Sequence, residues 1–175
     1  PGEMIMRNAI VSGICSQWLK GLAAMLLAGV AVTVQAQAPL PVPLIKEGVT
    51  VKVSDHVWVI PDGLVPVVPN VGIIVGSRAT LIVDTGLGIR NGETVLREVA
   101  KVSKNTEVYV ATTHFHAEHT TGGVAFPANY KFIRPQAQQK DVEEFGASFF
   151  KMFESRSPDM AALMKGSDYP RAEIL

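Results

Sequence analysis

The residues of this chain that could perform chemistry are concentrated in one short segment. Three of its four histidines, His114, His116 and His119, lie within six residues, and Glu118 lies among them. Imidazole nitrogen and carboxylate oxygen are the ligands that zinc takes in proteins when no thiolate is available. A single histidine is usually a surface residue or a satisfied core residue, but three beside a carboxylate at this spacing predict a metal site.

The residues before this segment predict how it is positioned. Residues 107–113 are mostly β-branched or aromatic and are typical of a buried strand. Residues two apart on a strand share a face, so His114 and His116 are expected to project together from its end. A turn would then bring Glu118 and His119 back to the same point. The glycines at 122 and 123 would allow a tight backbone around the bound group.

A helical arrangement of these histidines is less favoured. A metal-binding helix would carry the pattern His-Glu-x-x-His, which is absent, and the preceding Val- and Thr-rich run disfavours helix. The fourth histidine, His56, follows Ser54-Asp55 between two short apolar runs. It is expected to be a surface turn residue with no part in the site.

The histidine segment resembles the signature of the metallo-β-lactamase-fold superfamily, His-x-His-x-Asp-His, with Glu118 where that family usually has Asp. Upstream, a strand-turn-strand pattern ending in Asp84-Thr85-Gly86 resembles the Asp-x-Gly motif that lies beneath the family's metal site. The resemblance covers about residues 49–135. It implies an α/β fold, the metallo-β-lactamase-like αβ/βα sandwich, with two sheets inside and helices outside.

The resemblance also implies a truncated chain. The family completes its site with ligands far downstream, and no histidine follows His119 here. Residues 49–175 are therefore expected to be the N-terminal part of such a domain, incomplete at the C-terminus, with only the first half of the sandwich present.

The site roles implied by the resemblance are specific. His114 and His116 would hold a first metal, and Glu118 and His119 would hold a second. Glu118 would also be the catalytic residue, since it would orient a metal-activated hydroxide, and Asp84 would brace the loop that carries the ligands. The expected cofactor is zinc, as one or two ions, with iron possible. The longer side chain of Glu118 predicts a second site that is weaker than the first.

The implied function is that of a zinc-dependent metallo-hydrolase acting on an ester, amide, lactone or thioester carbonyl of a small-molecule substrate. Two alternatives stay open. One is a mononuclear iron oxidoreductase of the same fold, similar to persulfide dioxygenases. The other is a non-catalytic metal-binding fragment, because the truncated chain alone is expected to be inactive. The motif favours no particular substrate and no oligomeric state.

The charge balance gives no sign of a nucleic-acid partner, and the N-terminal residues predict export. Sixteen Lys and Arg residues balance sixteen Asp and Glu residues, and no basic run suggests nucleic-acid binding. Residues 1–36 read as a signal peptide, with Arg7 and Lys20 before an apolar run too short to span a membrane, and a small-residue cleavage site before Gln37. A periplasmic or secreted protein without a stable membrane anchor after cleavage is expected.

The pattern along the mature chain predicts its elements. Residues 37–48 form a Pro-rich lead-in, and residues 61–70 form a loop whose apolar tip either packs on neighbouring structure or acts as a flap over the metal. Asn91 is expected to cap a helix. The stripe formed by Val142, Phe145, Phe149 and Phe153 is expected to be core. Strands are predicted over 49–53, 57–60, 71–75, 80–83, 107–113 and 130–133, and helices over 91–103, 136–155 and 157–166.

Overall fold

The computed structural model describes residues 41–173; residues 1–40 and 174–175 lie outside that part of the chain. The predicted signal peptide, 1–36, and the start of the lead-in therefore fall outside the described residues. Within residues 41–173, no helix has the length and apolar character needed to cross a membrane.

Six strands form one mixed sheet in which spatial order follows chain order. The strands are β1 Val51–Ser54, β2 Val57–Ile60, β3 Val71–Val75, β4 Ala79–Val83, β5 Glu107–Ala111 and β6 Lys131–Ile133. Strands β1 to β4 pair antiparallel, whereas β5 runs parallel to β4 and β6 runs parallel to β5. The predicted α/β class is confirmed, and the strands lie close to where their β-branched runs predicted them.

Four α-helices accompany the sheet in the described residues: α1 Gly88–Val102, α2 Ala117–Thr120, α3 Gln136–Glu154 and α4 Pro158–Met164. A 3₁₀ helix, Thr121–Ala125, directly follows α2. Helix α1 makes the crossover between the parallel strands β4 and β5, as parallel pairing requires. Helix α4 begins as predicted, because the Ser157 hydroxyl accepts a hydrogen bond from the Met160 amide at 3.1 Å.

Two apolar clusters hold these elements together. In the first, Val95 and Val99 of α1 pack against buried sheet residues that include Ile73, Ile82 and Val110. Each fully buried side chain of this kind contributes about 1.5–3 kcal/mol through the hydrophobic effect. The second cluster lies where α2, α3 and α4 meet and consists of Leu87, Ala117, Phe153, Met160, Leu163 and Met164.

The start of α1 differs from the sequence prediction. The helix begins at Gly88, three residues before the predicted start, and Asn91 lies inside it rather than capping it. The first helical amide, of Gly88, instead donates to the Thr121 hydroxyl at 3.0 Å. The Asn91 side chain is buried and binds the lead-in: it accepts from the Ile45 amide and donates to the Pro43 carbonyl, each at 2.8 Å.

A buried carboxylate makes a second attachment between the lead-in and α1. Glu98 is fully buried and accepts hydrogen bonds from the Gly48 amide, the Thr50 hydroxyl and the Lys101 ammonium group. Burial is the largest influence and raises the pKa of Glu98, but the hydrogen bonds together hold that pKa below its ordinary value. The carboxylate is therefore charged and fully paired at neutral pH.

Candidate metal centre

The candidate site begins where β5 leaves the sheet. The prediction that His114 and His116 extend from a strand is wrong, because β5 ends at Ala111 and both histidines lie in the loop that follows. The neighbouring strands end at the same level, since Val83 and Ile133 are the last residues paired with Ala111. Beyond that level no strand pairs with the loop, and its Thr113 amide donates to a side chain instead.

Asp84 supplies those hydrogen bonds. It directly follows β4, is 2% exposed and has a φ of 68°, an uncommon conformation for a residue other than glycine. Its Oδ1 accepts from the Thr113 amide at 2.8 Å, and both carboxylate oxygens lie within 3.1 Å of the Thr113 hydroxyl. The parallel register of β4 and β5 places the two residues side by side. Backbone strain of this kind concentrates at functional sites.

The Asp84 carboxylate also fixes the tautomer of a histidine. His119 Nδ1 lies 2.9 Å from Asp84 Oδ2, and because a carboxylate only accepts, Nδ1 carries the proton of this pair. The Thr113 hydroxyl donates its proton to Asp84, so it accepts from His114 Nδ1 at 3.1 Å. In the neutral form of each ring, Nε2 then has the free lone pair that a metal requires.

Three side chains converge closely enough to share one metal ion. One nitrogen each from His114 and His119 and one oxygen from Glu118 all lie within 4.8 Å of one another. Glu118 Oε2 is buried and has no hydrogen-bond partner among the described residues. A buried carboxylate oxygen without a partner is costly, and coordination of a cation would satisfy it. The donor set and the unpaired oxygen both fit a metal such as zinc.

The protonation of His114 suits the same role. Burial lowers the pKa of His114, and the neighbouring rings of His119 and His116 lower it further. The His114 and His119 ring centroids lie 4.0 Å apart, so two protonated rings would repel each other. These influences favour the neutral imidazole, the form that binds metal.

His116 lies beside this group but is not one of the three residues that meet the spacing. Its Nδ1 is 3.8 Å from Glu118 Oε1, and its ring centroid is 4.5 Å from that of His114. The spacing therefore groups the four predicted ligands differently from the resemblance, which paired His114 with His116. The ring of His116 also packs against Phe149 of α3, with centroids 4.5 Å apart.

The prediction that the aromatic stripe of α3 is core is wrong for most of its members. Phe153 is buried in the second cluster, but Phe145 is 41% exposed. Phe149 is half-buried, lying between that cluster and the histidine loop. Helical periodicity identified the stripe, but the local sequence contains nothing that predicts a contact with a loop more than 30 residues earlier.

Gly122, after the histidines, lies in close contact with the backbone at the end of β4 and with α1. A Cβ atom on Gly122 would lie 2.2 Å from the Thr85 carbonyl oxygen, and one on Gly92 of α1 would lie 1.9 Å from the Gly122 carbonyl oxygen. Two backbone hydrogen bonds join the same segments: the Gly122 amide donates to the Gly86 carbonyl at 2.8 Å, and the Thr85 amide donates to the His119 carbonyl at 2.9 Å. The close contacts fix the metal loop against α1 and the end of β4.

Tyr169 is a further residue near the site that sequence reasoning did not identify. Its hydroxyl is buried without a partner among the described residues. Burial, together with the nearby negative charge of Glu118, raises the pKa of Tyr169 to about 12. The hydroxyl is therefore a protonated donor at neutral pH. Tyr169 and Glu118 are 51 positions apart, and no local pattern links them.

The two remaining predictions concern His56 and the loop 61–70. His56 is an exposed turn residue between β1 and β2, as predicted. In the loop, Val68 is buried and Val65 and Val67 pack against the apolar clusters, so packing accounts for most of its apolar tip. Leu64 is 92% exposed and has a φ of 60°, and packing does not explain it. A flap role for this loop stays a prediction.

Comparison by sequence identifies no relative. No model of a known protein family matches the chain, and no curated protein matches it.

Comparison by structure identifies the fold. The FEZ-1 metallo-β-lactamase from Legionella gormanii superposes with a TM-score of 0.50 at 13% identity, over 77% of this chain and 47% of that one. An inverting sec-alkylsulfatase from Pseudomonas sp. gives a TM-score of 0.47 at 17% identity, over 60% of this chain and 18% of that one. A metallo-β-lactamase from Erythrobacter litoralis gives 0.45 at 21% identity, over 59% and 49%.

The described residues have the metallo-β-lactamase fold, and the predicted fold class is confirmed. At these identities the likeness concerns the fold alone. The chain spans less than half the length of each of the three proteins. The site described above lies at the ends of β4 and β5.

Proposed function

We propose that the protein is a zinc-dependent hydrolase that cleaves an ester, amide, lactone or thioester bond of a small molecule. The observation that carries the proposal is the convergence of His114, Glu118 and His119, with Glu118 Oε2 buried and unpaired. Imidazole and carboxylate are the donors that zinc takes where thiolate is absent. A zinc ion held by these donors would lower the pKa of a water molecule to about 7 and polarise a carbonyl oxygen.

The protein's own residues have separate tasks in this proposal. His114 and His119 would present Nε2 to the ion, because their Nδ1 atoms are engaged by Thr113 and Asp84. Glu118 would contribute an oxygen and orient the attacking hydroxide by hydrogen bonding. Asp84 would keep His119 in the required tautomer and hold the loop in place through Thr113.

Metal binding by the full-length protein tests the proposal most directly. Zinc affinity would be measured by competition with a chromophoric chelator for the wild type, His119→Ala and His56→Ala. Loss of a ligand should weaken binding at least 100-fold in His119→Ala. His56→Ala should bind as the wild type does, because His56 lies in an exposed turn. Equal loss in both variants would contradict the proposed site.

Metal content and a substrate panel separate the hydrolase from the alternatives. Purified protein should contain zinc and hydrolyse at least one of a set of chromogenic esters, thioesters, lactones and β-lactams. Iron with oxygen consumption would favour the oxidoreductase instead. The chelator competition also gives the number of zinc ions bound. The longer side chain of Glu118 predicts that a second zinc ion binds more weakly than the first.

Export to the periplasm is proposed from the sequence of residues 1–36 alone. The basic start, the short apolar run and the small-residue site support it. N-terminal sequencing of the mature protein should read from Gln37. An intact segment in a membrane fraction would contradict cleavage.

A further inference from the structure

His116 differs from the other two histidines in how its ring is held. His119 and His114 each engage a neighbour through Nδ1, Asp84 in one case and Thr113 in the other. Neither ring nitrogen of His116 makes a hydrogen bond with another described residue; Glu118 Oε1 lies 3.8 Å from Nδ1, beyond hydrogen-bond distance. Its side chain is also the more exposed, at 34% against 19% for His119.

Two phenylalanine rings take the place of hydrogen bonds. Phe149 stacks on the face of His116 at 4.5 Å and 28°, and Phe115 meets the ring edge-on at 5.1 Å and 84°. The two phenylalanines also contact each other, at 5.0 Å and 72°. Offset-stacked and edge-to-face pairs at these distances are the favourable aromatic geometries. The plane of His116 is therefore defined by packing on one face and one edge.

Phe149 is anchored where Phe115 is not. It extends from α3 and packs against the second apolar cluster, whereas Phe115 belongs to the same loop as His116. Phe145, one helical turn earlier, contacts Phe115 at 6.4 Å and is 41% exposed. The contact that links the ring of His116 to α3 is thus the stack on Phe149.

We propose that Phe149 is a positioning residue for His116, holding its imidazole at the edge of the metal centre so that His116 completes the ligand set. This inference rests on the proposed metal site. Without the stack, the ring of His116 is free to rotate into solvent, because no hydrogen bond replaces it. The helix α3 thereby contributes to metal binding without contributing a ligand.

The test is a double-mutant cycle on metal affinity in the full-length protein, with zinc measured by chelator competition and cobalt(II) by its visible absorption. Phe149→Leu should weaken metal affinity roughly 3- to 10-fold, the fold-change expected for one aromatic pair. It should also alter the cobalt spectrum, which a structural role away from the metal would not change. Phe149→Tyr keeps the aromatic ring face and should therefore retain the metal affinity and the cobalt spectrum of the wild type.

Two controls make the cycle decisive. Phe145→Leu, on the same helix but without a His116 contact, should bind metal as the wild type does. In a His116→Ala background, Phe149→Leu should have no further effect, because the residue through which Phe149 acts is gone. Phe149→Met, which fills the cluster but lacks a ring, gives a second reading if Phe149→Leu is poorly folded by circular dichroism.

The possible failures are distinguishable. If the wild type binds neither zinc nor cobalt, the proposed metal site fails. If the wild type binds metal and neither Phe149→Leu nor Phe149→Met changes affinity or spectrum, the positioning role fails. Equal weakening by Phe145→Leu, or an undiminished effect of Phe149→Leu in the His116→Ala background, would also overturn it.

Discussion

The candidate metal centre has two flanks that are built in different ways. On the hydrogen-bonded flank, Asp84 and Thr113 engage His119 and the loop backbone, and α1 packs closely behind them. On the aromatic flank, His116 stacks on Phe149 of α3, which buries only Gly146 and Phe153 although it is 19 residues long. A hydrogen bond from the imidazole N–H to a carboxylate fixes both the ring orientation and the tautomer, whereas stacking fixes the plane alone. The first flank is therefore preorganised for a metal more completely than the second.

Substituting a helical glycine on each flank gives the largest expected contrast. In Gly92→Ala, the new Cβ would lie 1.9 Å from the Gly122 carbonyl oxygen. Because that oxygen belongs to the backbone, no side-chain rotation can relieve the clash. The free energy of unfolding should fall by about 3 kcal/mol, as for overpacking of a rigid site. In Gly146→Ala, the nearest atom is Tyr169 Cε2 at 3.2 Å, at the edge of a movable ring.

The Gly146→Ala variant is the matched control, because both glycines lie within helices. Alanine favours helix by about 1 kcal/mol over glycine, so this variant should be neutral or slightly stabilised. Urea denaturation of both variants provides the measurement. If the two variants lost the same stability, the claim that α1 packs more closely than α3 would be wrong.

Removing the carboxylate of the hydrogen-bonded flank should have the next largest effect. Asp84→Ala deprives His119 Nδ1 and the Thr113 amide of their acceptor. Loss of such a supporting partner typically weakens metal affinity about 10- to 100-fold. Chelator competition would measure this, and the loss should exceed that of Phe149→Leu. The reverse order would show that stacking, rather than hydrogen bonding, orients the ligands.

The Glu98 network behind the hydrogen-bonded flank predicts a pH dependence of stability. The pKa of Glu98 is held below its ordinary value of 4.5, so the folded protein favours the charged form more than the unfolded chain does. This stabilisation is present above pH 4.5 and is lost as the pH falls through the lowered pKa. Glu98→Gln should cost about 1 kcal/mol at pH 7 and progressively less below pH 4.5. A cost independent of pH would contradict the charged, paired state.

The smallest expected effect is that of removing the hydroxyl of Tyr169, a residue whose ring lies against Gly146 of α3. The hydroxyl is buried without a partner among residues 41–173, so its removal breaks no hydrogen bond there. Tyr169→Phe should therefore change the free energy of unfolding by no more than about 0.5 kcal/mol, by urea denaturation. A loss above 1 kcal/mol would mean that in solution the hydroxyl donates a hydrogen bond, for which Glu118 is the nearby acceptor.

The two flanks also differ in how far they could be predicted from sequence. The histidines and Glu118 are identifiable because four possible ligands lie within six residues, and Asp84 because it directly follows a predicted strand. The parallel pairing of β4 and β5 brings Asp84 beside the loop that leads to them. The strands and helices follow from local patterns, namely β-branched segments and an amphipathic helix, whereas the specific fold was implied by the resemblance of the two motifs. The hydrogen-bonded flank is thus encoded largely by local sequence.

The aromatic flank was missed because its contacts are made between distant segments. Phe149 has the spacing of a core residue, and only tertiary packing turns it towards His116. The α1 start was misplaced for a related reason: its first amide is bound by Thr121, 33 residues away, and Asn91 serves the lead-in instead. Periodicity predicts that a face is apolar but not which partner will cover it.

The backbone contacts among Thr85, Gly92 and Gly122 have a consequence for local opening of the protein. No side chain separates these three segments. The metal loop therefore cannot detach without breaking the hydrogen bonds that the Thr85 and Gly122 amides donate and exposing α1. Those amides should exchange with solvent deuterium at the rate of the α1 core, as members of one cooperative unit. The amides of α3, a helix with few buried residues, should exchange faster. The centre would thus keep His114 and His119 in place even while α3, on the aromatic flank, opens locally.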